Sequence, residues 1–210
     1  IGVHDFNPVP GLPLVEVIWS KYSDPEIVSR GMQFAGKIGK MPISCKSVPG
    51  FLVNRALLPY IFKAIEAVAG GEKADHIDEA LVDFGMPMGP IELADQIGLD
   101  VCLDVGIVLG MPPAAKALLD QKCKTGTIGR KSGSGFYEWD GNRAIRAHQS
   151  QDPKVMTAIA KNMLAPMIEE CRQAVDEQVV DSADSADAGM IFGIGFPGFR
   201  GGPLNWFKEQ

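Results

Sequence analysis

Two short runs rich in β-branched and aromatic residues open the chain, Ile1–Phe6 and Leu14–Trp19, separated by Pro8-Val9-Pro10-Gly11-Leu12-Pro13. Three prolines rule out a helix in that separator and suit a loop between strands. Ser23-Asp24-Pro25-Glu26 then carries the marks of a helix start, a capping residue followed by Pro and an acidic neighbour. Ile27, Val28, Met32, Phe34, Ala35 and Ile38 follow at helical spacing, Gly36 and Gly39 mark the end, and Met41–Lys46 reads as a further strand. Strand, helix, strand in this order predicts part of an α/β unit with a parallel sheet. After Pro49-Gly50 the period changes. Helices are predicted at Phe51–Ala69, Ala74–Phe84, Ile91–Gln96, Asp100–Leu109 and Pro112–Lys122, with no strand pattern between residues 50 and 124. A glycine-rich basic stretch, Gly126–Gly135, leads to a short extended segment at Phe136–Trp139. Asp140–Pro153 is polar and reads as a linker, and Val155–Val180 returns to a helical period.

The chain also repeats itself. Leu57-Leu58-Pro59 with Ala67-Val68 matches Leu164-Ala165-Pro166 with Ala174-Val175. Gly85-Met86-Pro87 matches Gly195-Phe196-Pro197, and Gly89-Pro90 matches Gly202-Pro203. The spacing between copies grows along the chain, as small insertions in the second copy would make it. Two helical units are the simplest meaning. Phe51–Ala69 is apolar around most of its circumference, which requires burial on several sides and predicts association as a homodimer or within a larger assembly. Domain limits of 1–47, 48–145 and 150–210 follow from these changes of pattern.

Composition narrows the chemistry. The net charge of −6, with 20 basic and 26 acidic residues and no Lys/Arg block, excludes nucleic acid as an expected partner. No apolar run reaches the roughly 20 residues that span a bilayer. Cys45, Cys102, Cys123 and Cys171 show neither C-x-x-C nor zinc spacing, so reduced thiols and no metal site are expected. Asp75, Asp78, Asp83, Asp181, Asp184 and Asp187 read as solvated carboxylates on helix faces, and Met86 and Met88 as core filler. The chain opens Ile1-Gly2-Val3-His4 within a strand rather than at Met, which predicts a piece of a longer protein.

Three constellations could act on a ligand. His4 and Glu16 lie on successive predicted strands, and a carboxylate beside an imidazole fixes its tautomer and favours the imidazolium that follows proton abstraction. Asn54, in the first turn of an apolar helix, could hydrogen-bond a ligand carbonyl or cap its own helix. Gly129-Arg130-Lys131-Ser132-Gly133-Ser134-Gly135 is neither a P-loop nor a dinucleotide fingerprint, and on physical grounds reads as a turn.

Taken together, five ordered blocks resemble the 3-hydroxyacyl-CoA dehydrogenases. They are Gly2–Pro10, Leu14–Ile18, Pro49–Arg55, Asp83–Asp95 and Gly129–Tyr137. The repeated helical part is similar to the multifunctional fatty-acid β-oxidation proteins, which join an enoyl-CoA hydratase to this dehydrogenase. The resemblance implies a mainly α fold. A remnant of a Rossmann-type α/β NAD domain would be followed by two repeated dehydrogenase C-terminal helical domains. It also implies oxidation of (S)-3-hydroxyacyl-CoA to 3-oxoacyl-CoA with NAD, with acyl-CoA as substrate. The place would be the cytoplasm in a bacterium, and the mitochondrial matrix or peroxisome otherwise. By the same resemblance His4 is the catalytic base and Glu16 its partner, Asn54 contacts the substrate near its thioester, and Asn7 and Lys131 contact NAD. Asp5 stands where the family usually has an aromatic residue. The family's G-x-G-x-x-G turn is not in this sequence, so the chain by itself is expected to be inactive. The alternatives are a non-catalytic helical assembly module and a 3-hydroxybutyryl-CoA dehydrogenase of another pathway.

Overall fold

The computed structural model describes residues 1–147 and 152–209. Strands β1 (Gly2–Asp5), β2 (Leu14–Trp19) and β3 (Met41–Lys46) form one sheet in that order, β1 antiparallel and β2–β3 parallel, with helix α1 (Pro25–Lys37) as the crossover. Asp24 caps α1 by accepting from the Glu26 N–H, and Pro25 occupies its first turn. Lys40 Nζ donates to the carbonyls of Val9 and Leu12, tying the proline-rich loop to the start of β3.

The helices are α2 (Val53–Ala69), α3 (Ala74–Phe84), α4 (Pro90–Ile97), α5 (Leu99–Leu109), α6 (Pro113–Thr125), α7 (Pro153–Asp176), α8 (Ala183–Ile194) and α9 (Pro203–Lys208). A hairpin pairs β4 (Glu138–Asp140), which begins in the expected extended segment, with β5 (Arg143–Ile145) in the first part of the expected linker. The alternation there was too short to stand out from a polar stretch. Residues 148–151 of that linker lie outside the described residues. The four cysteines are free thiols. Among the described residues no helix is long and apolar enough to cross a membrane.

The chain divides into two compact units, Ile1–Ala56 with Met167–Gln210, and Leu57–Pro166. The cuts fall inside α2 and α7. These two helices carry the matching prolines of the repeat, Pro59 and Pro166, in their interiors.

The repeat extends to a buried capping device that the sequence pattern misassigned. Asp78 and Asp187 are not solvated: they are 0% and 5% exposed. Asp78 on α3 accepts from the Ile91 and Glu92 N–H groups at the start of α4. Asp187 on α8 accepts from the Leu204 and Asn205 N–H groups at the start of α9. A carboxylate aimed at otherwise unpaired N–H groups is stabilised by the positive end of the helix. Burial still pushes both carboxyls up, Asp78 to about 7. Both sites need a glycine before the proline, because a methyl on Gly89 or Gly202 would overlap the facing carboxylate. Gly89 has φ −77°, which any residue adopts, so Gly89→Ala tests crowding alone. It is expected to cost about 1–3 kcal/mol in equilibrium unfolding, whereas an unchanged midpoint would mean the carboxylate has room to retreat.

Candidate active site

Every residue of β2 from Leu14 to Ile18 is buried, and in this apolar row Glu16 is the one charged side chain, at 0% exposure. Such a carboxylate needs partners for both oxygens. Strand register supplies the first, since His4 lies directly opposite Glu16 on β1, and Oε2 accepts from His4 Nδ1 at 2.6 Å. The second comes from the chain reversal at Pro49-Gly50-Phe51. Gly50 and Phe51 both have positive φ, 77° and 52°. A side chain on Gly50 would press on the Arg55 backbone. The turn aims the start of α2 at the sheet, and Oε1 accepts from the Leu52 and Val53 N–H groups at 3.0 and 3.1 Å. The charge on Glu16 therefore sits against a helix N-terminus. With Nδ1 committed to the carboxylate, Nε2 is left as the basic nitrogen of the neutral ring.

His4 is held sideways as well. Phe6 meets its ring edge-on with centroids 4.7 Å apart, and Phe51 lies at 5.5 Å. The imidazole, 29% exposed, opens onto a cavity of about 410 Å³ whose lining includes Trp19, Ser20, Ser23, Ser47 and Phe51. Apolar walls with a few hydroxyls suit a small organic group held in a set orientation.

Asn54 lies in the first turn of α2 and is half-buried. It is not the cap of its helix, because Glu16 takes that role. The N–H groups of Leu52 and Val53 are the part of the site that sequence reasoning missed, since a backbone donor leaves no mark on composition. Asn7 is exposed in the loop after β1. Lys131 belongs to the other unit, in the turn Arg130–Ser132, where its ammonium pairs with Asp100 at 2.5 Å and holds that carboxyl below its usual range. The glycine-rich turn is shaped by buried Asp95, which accepts from the Phe136 and Tyr137 N–H groups and from Trp139 Nε1. Gly129 and Gly135 lie so close to Asp95 that no side chain would fit.

The NAD-binding domain of 3-hydroxyacyl-CoA dehydrogenase matches residues 1–48, and the C-terminal domain of the same enzyme matches residues 50–139. The fatty acid oxidation complex subunit alpha of Shewanella sp. (strain MR-4) is 37% identical over 224 residues, spanning 98% of this chain and 32% of that protein. The chain thus covers about a third of the length of the curated relatives it matches. The crystal structure of 3-hydroxybutyryl-CoA dehydrogenase from Escherichia coli K12 superposes with a TM-score of 0.83 at 24% identity, over 99% of this chain and 63% of that one, a likeness of fold. (S)-3-Hydroxybutyryl-CoA dehydrogenase from Ralstonia eutropha has 35% identity and a TM-score of 0.61, over 67% of this chain and 52% of that one. With two domains of one enzyme matched in consecutive order, the chain belongs to the 3-hydroxyacyl-CoA dehydrogenase family.

Proposed function

We propose that this chain is the part of a longer protein that carries the proton-transfer site of an NAD-dependent 3-hydroxyacyl-CoA dehydrogenase. The observation that carries the reading is the buried relay from the α2 N–H groups through Glu16 to His4, beside the cavity. His4 Nε2 takes the proton of the 3-hydroxyl group as hydride leaves C3, and the 3-oxo product forms. Glu16 stabilises the resulting imidazolium, and its second oxygen stays anchored to Leu52 and Val53, so the pair does not reorganise during the step. NAD, when bound, supplies the hydride acceptor. The cavity supports this fit, because its size suits a single ring or a short acyl segment and its serine hydroxyls suit an amide or thioester oxygen. Asn54 on the same helix start is the residue for the thioester end of the substrate. Asn7 and Lys131 are proposed as NAD contacts on the resemblance alone, and Lys131 is paired with Asp100 in its own unit.

The domain reading that goes with this is an NAD-domain portion at 1–47 and helical copies at 48–145 and 150–210. The 37% identity to a fatty acid oxidation complex subunit, over 98% of this chain, supports fatty-acid β-oxidation as the setting, with the other subunits of such a complex, or a second copy of the protein, as partners. A 3-hydroxybutyryl-CoA substrate is the second reading, favoured by the 35% identity to the Ralstonia enzyme. The test is reduction of acetoacetyl-CoA by NADH in the full-length protein. Turnover in the range of about 1–10³ per second is expected. A folded protein without turnover above background would overturn the reading and leave the helical part an assembly module.

A further inference from the structure

The second helical copy grips the start of α2 from two directions. Arg55 follows Asn54 in the first turn of α2, and its side chain is 16% exposed. Nε donates to Glu170 Oε2 at 2.9 Å, while Nη1 and Nη2 donate to the two oxygens of Glu177 at 2.7 and 3.0 Å. Both glutamates belong to the unit that holds the sheet. A guanidinium fork engaged on two sides fixes direction as well as charge.

The second grip is steric. A methyl on Gly189 of α8 would strike Leu52, and one on Gly193 would strike Leu14 and Val53. The helix therefore lies against the two residues whose N–H groups hold Glu16. As a stabilising contact the pair with Glu177, which is 54% exposed, counts for little. Its geometric value is larger, because a small displacement of the α2 start moves the donors of Glu16 and Asn54 together.

We propose that Arg55, Glu170 and Glu177 are positioning residues, a clamp by which the second helical copy fixes the α2 start and so sets the His4–Glu16 geometry for catalysis. The inference rests on the dehydrogenase reading and assigns the second copy a part in the reaction. It is tested in the full-length protein with Glu170→Gln/Glu177→Gln, and with Glu169→Gln as control. Glu169 lies on the same helix as Glu170, and among the described residues its carboxylate bonds Arg172 and Gln173 rather than Arg55. Two readouts are taken: the kcat and KM of NADH-dependent acetoacetyl-CoA reduction, and amide hydrogen exchange of the peptide containing Leu52 and Val53. The double variant is expected to lose about 10-fold in kcat with the KM for NADH unchanged and faster exchange in that peptide. The control should match wild type in both. A double variant with wild-type kcat, or with unchanged exchange at Leu52 and Val53, would overturn the clamp. A wild-type protein without turnover would overturn the dehydrogenase reading instead, and the exchange comparison would still decide whether Glu170 and Glu177 hold the α2 start.

Discussion

Replacing His4 by Gln lowers kcat of the full-length protein by at least about 10²-fold, the scale on which a general base contributes. Gln fills much of the same space between Phe6 and Phe51 and keeps a donor for Glu16, but it has no basic nitrogen. The hydroxyl proton then has no acceptor when hydride departs. The KM for NADH should change little, because the loss lies in the transition state rather than in binding. Glu16→Gln acts differently. It removes the charge that stabilises the imidazolium, and its amide presents donors where one or more of His4, Leu52 and Val53 already donate. A lower kcat accompanied by lower stability is therefore expected for Glu16→Gln, against a lower kcat alone for His4→Gln. Steady-state kinetics with parallel thermal melts separates the two. A His4→Gln protein with near-normal kcat would remove His4 from the mechanism.

The largest effect on stability is expected at Asp78. It accepts from the Ile91 N–H and, at 2.9 Å, from the Tyr137 hydroxyl in buried bonds, and from the Glu92 N–H in a part-buried one. Asp78→Ala strands three donors, each costing about 1–3 kcal/mol, so a loss of at least about 3 kcal/mol is expected in denaturant unfolding. The carboxyl also gives this unit a pH signature. Burial raises it from its ordinary 3.8 to about 7, against the pull of its three donors. A group that binds its proton more tightly when folded contributes most below the unfolded value, and that contribution is lost as pH rises through the folded one. Relative to Asp78→Asn, which does not titrate, wild-type stability should fall between about pH 4 and pH 8. A flat difference across that range would mean the buried carboxylate is fully stabilised by its donors.

These two sites also mark how far the sequence could be read. The strand pair was legible because β-branched runs flank a proline-rich loop, and once the strands pair, His4 and Glu16 face each other. The repeat was legible through its prolines and glycines, which keep their places while neighbouring residues change. Asp78 and Asp187 were not legible. A carboxylate on an amphipathic helix looks solvated until one knows which helix start docks over it, and that is a matter of tertiary packing. The ambiguity at Asn54 has the same root. Its helix is capped by Glu16, thirty-six residues away from Leu52 in sequence, and no local pattern announces a cap that arrives from a strand. Arg55 likewise gave no sign that its partners lie on the second helical copy.

The proposal that the imidazole of His4, oriented by Glu16, serves the oxidation of a 3-hydroxyacyl-CoA can be put to a direct test. The most direct measurement is a single turnover of the full-length protein with NAD⁺ and (S)-3-hydroxybutyryl-CoA, followed by NADH fluorescence, with the (R) isomer and His4→Gln run alongside. Prompt NADH formation is expected from the (S) isomer in wild type, little from the (R) isomer, and at least about 10²-fold slower formation in His4→Gln. NADH formation at the same rate in His4→Gln, or none from the (S) isomer in folded wild-type protein, would contradict the proposal.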